Sequence, residues 1–532
     1  MVDSKRNLSN IEETTTIKIS TKTDVVENIH VGKSCSSPEL EIYSALFHEF
    51  RDVFAWSYDE MLGIDSNIVE HEIKMYLDVK PVQQWLRKVH PKKVVAIKAE
   101  VEKLLHAGFI YPVPLINWVS NIVPVMKKQG IIRVCIDYRD VNQACPKDNY
   151  RTPFIDQIID ECARCEIFSF MDGFSLYNQI NIRPQDHSKT AFIFPWGTFA
   201  YRKLPFGLKN AGATFQRAMN YAFHDIKNIV QPYLDDLLAH LQKWTDHLRH
   251  LRVIFLRCRH YKIRLNWKQC VFCVSSGCLH GFVVSKDGIR LDTCKVQAII
   301  DLPPPSNLLQ IQKLQRKANF LRRFIPNYAE LAKGYTCLLK KEVPFIWDRV
   351  AQASFYALKQ SLIKASLMYA PDYQKDFNLY LAVADTTIAM VLVQEDNGIE
   401  NPIYYLSQNL NDMEMKYSYV EKLALAVVQA IQIFRHYILL RKTTILSDCN
   451  PMTYKLLRQF LEGKYWKWLV ILQEFDLEFK KSKSKKALVL VGLLCDLPSS
   501  SNDATFEEAI VDENLFMISS RNPWYEYVII YL

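Results

Sequence analysis

The sequence predicts a mixed α/β (α+β) chain of several domains, and three observations carry that prediction. Strand-like apolar runs at residues 119–125, 131–138 and 168–171 alternate with helix-spaced runs at 92–106, 207–224 and 244–260. The break Pro303-Pro304-Pro305 precedes a second α/β order: strands at 377–383, 388–395 and 403–407, a helix at 420–435, a strand at 443–446, and a largely helical stretch at 454–475. A length of 532 residues exceeds what one core usually organises, so three or four domains are expected.

Taken in order, residues 1–37 are rich in Ser, Thr, Lys and Glu and read as a disordered linker. From Pro38, the spacing of Leu40, Tyr43, Leu46, Phe47 and Phe50 predicts a helix. The 92–106 helix carries Val95, Ile97, Val101, Leu104 and Leu105 and stops at Gly108, a C-cap residue. Lys127-Lys128-Gln129-Gly130 reads as the turn of a hairpin between the next two strands. Strands are expected over 266–284, and a basic amphipathic helix over 309–324 with Lys313, Arg316, Lys317, Arg322 and Arg323 suited to a phosphate backbone. No internal repeat is present.

Composition narrows the class. Apolar residues make up 49% and charged residues 23%, ordinary values for a globular protein. The formal charge of +9 mildly favours a polyanionic partner. Thirteen cysteines are scattered with no secretory signal, which fits a reducing compartment. No apolar run approaches the ~20 residues of a bilayer span, so no membrane association is expected. Cys270-x-x-Cys273-x-x-x-x-Cys278-x-His280 matches no common zinc spacing and reads as buried thiols among packed strands, as does Cys162-x-x-Cys165.

The most informative stretch is Tyr233-Leu234-Asp235-Asp236, flanked by Gln231-Pro232 and Leu237-Leu238-Ala239. A hairpin there presents two carboxylates at its tip, although acids in a tight turn are also common as solvated loop residues. A second acid upstream changes the reading. Phe168-Ser169-Phe170-Met171-Asp172 is a buried strand ending in a carboxylate. Asp172, Asp235 and Asp236 are the least that two Mg²⁺ ions need for in-line phosphoryl transfer. Between them, Leu204-Pro205-Phe206-Gly207-Leu208-Lys209-Asn210-Ala211-Gly212-Ala213-Thr214-Phe215-Gln216 breaks a strand just before a helix.

Together with Arg133-Val134-Cys135-Ile136-Asp137-Tyr138-Arg139, these motifs closely resemble the reverse transcriptases of gypsy-type (Metaviridae) long-terminal-repeat retrotransposons, particularly plant ones. The likeness runs from about Ser37 to the C-terminus. It implies a right-hand polymerase: a protease–polymerase linker segment at 38–80, fingers and palm at 81–285 and a thumb at 286–345. A connecting segment at 346–372, an RNase H-like α/β domain at 373–498 and a tail at 499–532 leading toward integrase follow. By resemblance, Asp172, Asp235 and Asp236 are catalytic and bind two Mg²⁺, with Mn²⁺ as an alternative. Arg133 clamps the incoming triphosphate, assisted by Lys127 or Lys128. Tyr177 closes off the sugar 2′ position, Phe206 lines the nucleotide pocket and Gln179 supports it. The implied partners are an RNA template, a DNA primer or product and dNTPs, with a homodimer or other polyprotein products as the assembly. The implied location is a cytoplasmic virus-like particle, with nuclear access of the complex.

Departures from the family pattern matter as much. Leu176 stands where the family has Gly, and strain is expected there if that glycine uses φ > 0. In the thumb, Arg316-Lys317 replace Gly-His, and Asn319 replaces a second Gly. The RNase H positions read Ala382, Leu423, Asp448 and Val491, so one acid of four remains. Asp385 is out of phase on its strand, and Glu421 lies about 200° from Leu423 around the helix. The expectation is a polymerase whose RNase H activity is lost; the alternative is a decayed, nucleic-acid-binding remnant.

Overall fold

The computed structural model describes residues 13–20, 27–114, 116–126, 132–150, 153–234, 236–241, 243–340, 343–365, 367–448 and 464–481. The chain forms two compact units, residues 1–295 and 296–532.

The first unit opens with β1 (Thr14–Lys18) and β2 (Asn28–Gly32), an antiparallel pair. This corrects the expected linker. β-branched residues dominate β1, and in β2 the alternating Ile29 and Val31 are fully buried. Polar composition masked a half-buried strand pair. Gly32 has a stated cause, since a Cβ there would stand 2.2 Å from the Cys273 carbonyl oxygen.

Next come α1 (Ser37–Glu49), β3 (Phe54–Ala55), β4 (Glu70–His71), α2 (Pro91–His106) and β5 (Ile110–Pro112). Ser36 and Glu39 form a capping box on α1, which buries Tyr43, Leu46 and Phe47. The fingers are a five-stranded sheet ordered β5-β11-β10-β6-β7, with β6 (Ser120–Met126), β7 (Ile132–Ile136), β10 (Phe192–Phe194) and β11 (Gly197–Tyr201). Between β7 and β10 lie α3 (Arg139–Ala144), α4 (Ile155–Cys162), β8 (Ile167–Asp172) and β9 (Asn181–Ile182).

The palm follows as α5 (Ala211–Ala222), β12 (Val230–Tyr233), β13 (Asp236–Leu241), α6 (His247–His260), β14 (Leu265–Asn266) and β15 (Val271–Val274). Its six-stranded sheet runs β1-β2-β15-β8-β13-β12, so β8 is central. Ile167, Phe168 and Ser169 are fully buried there. Beneath it, Phe47, Phe54, Phe255 and Phe272 interlock with ring centroids 4.8–6.4 Å apart. A three-stranded sheet closes this part: β16 (Ser276–Leu279), β17 (Phe282–Ser285) and β18 (Gly288–Leu291). Cys270 and Cys273 are buried in the palm core, and the Cys278 thiol meets Asp292 at 3.6 Å.

α7 (Thr293–Ile300) crosses the boundary between the units. In the second unit, α8 (Leu308–Leu321), α9 (Tyr328–Thr336) and α10 (Arg349–Ile363) precede an α/β domain. That domain has β19 (Phe377–Val383), β20 (Thr387–Asp396), β21 (Ile399–Asn409), α11 (Tyr419–Ile438), β22 (Thr443–Ser447), α12 (Lys464–Leu472) and β23 (Leu477–Lys481). Its sheet order is β21-β20-β19-β22-β23, with β22 parallel to both neighbours. The sequence reading contained every strand except β23.

One basic residue changes role. Lys313, Arg316 and Lys317 are exposed on α8, but Arg323 is only 3% exposed. Its Nε donates to the Ile403 carbonyl at 3.2 Å, and its guanidinium lies 5.0 Å from the Tyr404 ring centre. Arg323 therefore fastens the thumb segment to β21 and is unavailable to a phosphate backbone.

Candidate active site

Asp172 ends β8, and in the antiparallel register it is the direct partner of Asp236, the first residue of β13. Residues opposite one another in such a pair share a face, with Cβ atoms about 4.5–5.5 Å apart. Two carboxylates from adjacent strands thus converge at one end of a stiff, buried sheet. Asp235 lies outside the described residues, as do Lys127 and Lys128. Among the described residues no group of three or more His, Cys, Asp or Glu forms a metal-holding cluster.

The turn between β12 and β13 is tight: Tyr233 pairs with Asp236, leaving two residues between them. Leu234 sits at φ +47°, a left-handed conformation that such turns require and that leucine adopts at a cost. Gln216 on α5 holds it there. Its Oε1 accepts the Leu234 amide at 2.7 Å, and its Nε2 donates to the Pro232 carbonyl at 2.8 Å. Gln216 is fully buried, so its bonds act on both sides of the turn without competition from water. Gln216 closes the 204–216 motif, and no role is expected of it from the sequence. A buried amide eighteen residues before Leu234 leaves no periodic signature.

Asp172 has its own support. Asn266 Nδ2 donates to Asp172 Oδ2 at 3.2 Å, which fixes one oxygen of the carboxylate. On the other side, His280 Nε2 stands 3.8 Å from Asp236 Oδ2, and its ring meets Tyr233 edge-on at 4.6 Å. Burial, with the nearby Lys295 ammonium, pushes His280 down to about 4. The imidazole is therefore neutral near pH 7, and its contact with Asp236 is not an ion pair.

An aromatic cluster approaches the turn through Gly212, where an added Cβ would stand 3.6 Å from Leu234 Cδ2 and 3.7 Å from the Tyr177 hydroxyl. Tyr177 meets Phe206 at 4.7 Å and Phe215 at 5.6 Å, both edge-on. Phe206 is 39% exposed, so one flank of the cluster is open. The strain expected at Leu176 is located elsewhere: the positive φ belongs to Ser175, at +48°. Leu176 is buried against Gly173, where an added Cβ would stand 1.9 Å from Leu176 Cδ2. The leucine occupies space that only glycine at 173 leaves.

Gln179 is corrected. It is fully buried, donating to the Phe174 and Arg264 carbonyls at 2.8 and 2.9 Å and accepting the Arg264 amide at 2.9 Å. Both donors and the acceptor oxygen join the 173–179 loop to the segment before β14, so it is a buried structural residue. Arg133 lies on β7 opposite Val125. Asp137, four residues further, is gripped by Arg139 through both oxygens and by Arg87, each bond 2.7 Å. Those guanidinium groups hold its carboxyl well below the usual range.

The RNase H positions differ in kind. Ala382 and Leu423 are buried in the domain core, and Asp385 is exposed beyond the end of β19. Glu421 is spent on the helix start: with Ser418 it forms the capping box of α11. Asp448 is exposed and accepts the Tyr419 hydroxyl at 3.1 Å. Val491 and the tail lie outside the described residues.

Comparison with known proteins agrees with this architecture. Residues 125–318 match the model for reverse transcriptase (RNA-dependent DNA polymerase), and residues 372–475 match the RNase H-like domain found in reverse transcriptase. The retrovirus-related Pol polyprotein from transposon 297 of Drosophila melanogaster is 32% identical over 405 residues, covering 74% of this chain and 37% of its own length. That from transposon opus, also of Drosophila melanogaster, is 27% identical over 486 residues, covering 87% of this chain and 47% of its own length. The foamy viral protease-reverse transcriptase in complex with RNA/DNA hybrid shares the fold at a TM-score of 0.74 and 19% identity, over 90% of this chain and 64% of that one. The fold and the paired acids define a right-hand polymerase followed by an RNase H-like domain. The chain belongs to the reverse transcriptase–RNase H region of gypsy-type, retrovirus-related Pol polyproteins. It spans less than half the length of these two relatives.

Proposed function

We propose that the protein is an RNA-directed DNA polymerase that extends a primer with dNTPs and has lost RNase H cleavage. The observation that carries this reading is the register of Asp172 with Asp236 at the mouth of a two-residue turn. Two convergent carboxylates, one braced by Asn266, offer hard oxygen donors that fit Mg²⁺. Asp172 and Asp236, with Asp235 between the strands in sequence, would hold the ions, which supply charge neutralisation at the transferring phosphoryl group. The rest of the work is positioning. Tyr177, braced by Phe206 and Phe215, blocks the 2′ side of the incoming sugar, and Arg133 pairs with its triphosphate. That a foamy viral relative of the same fold is described with an RNA/DNA hybrid supports a hybrid as the partner here.

Primer extension on poly(rA)/oligo(dT) with Mg²⁺ tests the reading. Wild-type protein should incorporate dTMP, and Asp172→Asn should lose on the order of 10³-fold or more, the scale of removing one electrostatic catalytic group. No incorporation by folded wild-type protein would favour the alternative, a nucleic-acid-binding remnant, for which the missing RNase H acids speak.

A further inference from the structure

Trp85 is 93% exposed, yet the backbone on both sides of it is held by the buried Asn121 side chain. Its carbonyl accepts Asn121 Nδ2 at 2.8 Å, and the next amide but one, Arg87 N, donates to Asn121 Oδ1 at 3.0 Å. Asn121 is 1% exposed, and its own amide donates to Gln84 Oε1 at 3.0 Å. Gln84 N in turn donates to the Val119 carbonyl at 2.9 Å, and Gln84 Nε2 to Asp140 Oδ2 at 2.7 Å. A buried asparagine and a glutamine thus pin both sides of a residue whose indole touches almost nothing. Flexible loops leave tryptophans exposed by default; a pinned one presents a fixed aromatic face.

The surroundings state what that face suits. Arg87 and Arg139 share the Asp137 carboxylate, and both guanidinium groups remain substantially exposed. With Lys88 beside them and Asp140 as the second acid, the patch keeps a net positive charge. An exposed indole amid planar cations is the combination that binds unpaired nucleic acid, through base stacking and phosphate attraction. Its place is informative too. Asp137 continues β7, the strand of Arg133, and its amide donates to the Asn121 carbonyl at 2.9 Å. α3, which begins at Arg139, reaches the loop carrying Phe206: Asn142 Nδ2 donates to the Gly207 carbonyl at 2.8 Å.

We infer that Trp85, flanked by Arg87 and Arg139, is a stacking platform for the unpaired template ahead of the position being copied. The inference rests on the polymerase reading for the identity of the strand, but its test does not require catalysis. Fluorescence anisotropy of a labelled primer–template is measured with Ca²⁺ in place of Mg²⁺, comparing a duplex that has a single-stranded 5′ template overhang with a blunt one. The wild type should prefer the overhang. Trp85→Ala should reduce overhang binding by roughly tenfold, the scale of one stacked base, and leave blunt-duplex binding unchanged. Trp85→Phe should retain most of the preference. Equal overhang preference in wild type and Trp85→Ala, or an equal loss on both duplexes, overturns the proposal. Overhang-dependent binding without incorporation in Mg²⁺ would defeat the polymerase reading and leave this one standing.

Discussion

The family resemblance expects carboxylates around metal ions in both the palm and the RNase H-like domain, and the two differ in what fills those positions. In the palm, Asp172 and Asp236 face each other at the open end of the sheet, where both are half-buried and still reach solvent. In the RNase H-like domain, Ala382 on β19 and Leu423 on α11 are buried, and Leu423 is part of the domain's hydrophobic core. A carboxylate at either of those positions carries a desolvation cost that only a bound cation offsets. Under the proposed loss of cleavage, an apolar residue there stabilises the domain and the fold outlives the site. Site retention and fold retention are therefore separable wherever the acids lie within the hydrophobic layer.

The two units also differ in their buried imidazoles, which gives the largest expected effect. In the first unit, burial pulls His71, His240 and His280 down to about 4 and His247 to about 3. The second unit's histidine, His436, is exposed. A folded value below the unfolded value of about 6.5 means that the unfolded chain takes up protons first. Stability contributed by these neutral imidazoles is complete above about pH 6.5 and is lost as pH falls toward 4, at roughly 3 kcal/mol for each. Urea unfolding at pH 7 and about pH 4.5, read region by region by pulse-labelled hydrogen exchange, should show a large drop confined to the first unit. A parallel drop in both units would show that carboxylates, not these histidines, dominate.

Restoring the lost acids probes the comparison directly. Ala382→Asp with Leu423→Glu should destabilise β19 and α11 by about 3–5 kcal/mol, the cost of leaving buried charge without compensation. Hydrogen exchange of the full chain should show lowered protection there and none of it in the palm. If protection is unchanged, the positions are wet and the argument about the core fails.

Much of this was legible in the residues. β8, the β12–β13 hairpin and α11 are long or strongly patterned, and their acids or missing acids align with recognisable motifs. What escaped was carried by single side chains acting across the fold. β1 and β2 looked disordered because their polar faces outnumber Ile29 and Val31, and only pairing with β15 gives those residues a core to enter. Resemblance assigns Gln179 to the nucleotide pocket, and a basic amphipathic pattern assigns Arg323 to a phosphate backbone. Each instead satisfies backbone carbonyls in the interior, at Phe174 and Arg264 for the first and Ile403 for the second. Nothing in a local pattern distinguishes a buried amide from an exposed one.

Gln216 is the sharpest case of that kind, and its removal gives the smallest of these effects. Gln216→Ala takes away the acceptor for Leu234 N and the donor to Pro232 O while leaving every acid in place. Each lost bond leaves a partly buried backbone group unsatisfied, at about 1–2 kcal/mol. Among the described residues Gln216 is the side chain that braces the left-handed Leu234, so the loss should appear as looser placement of the acids rather than as unfolding. Incorporation should fall roughly tenfold in kcat, with KM for primer–template unchanged, the signature of a group that acts on positioning. Leu234→Gly offers an independent check, because glycine adopts positive φ without penalty. In that background the turn needs less external restraint, and Gln216→Ala should cost measurably less. An equal loss in both backgrounds, or a loss in KM alone, would mean that Gln216 serves the packing of α5 and not the geometry of the acids.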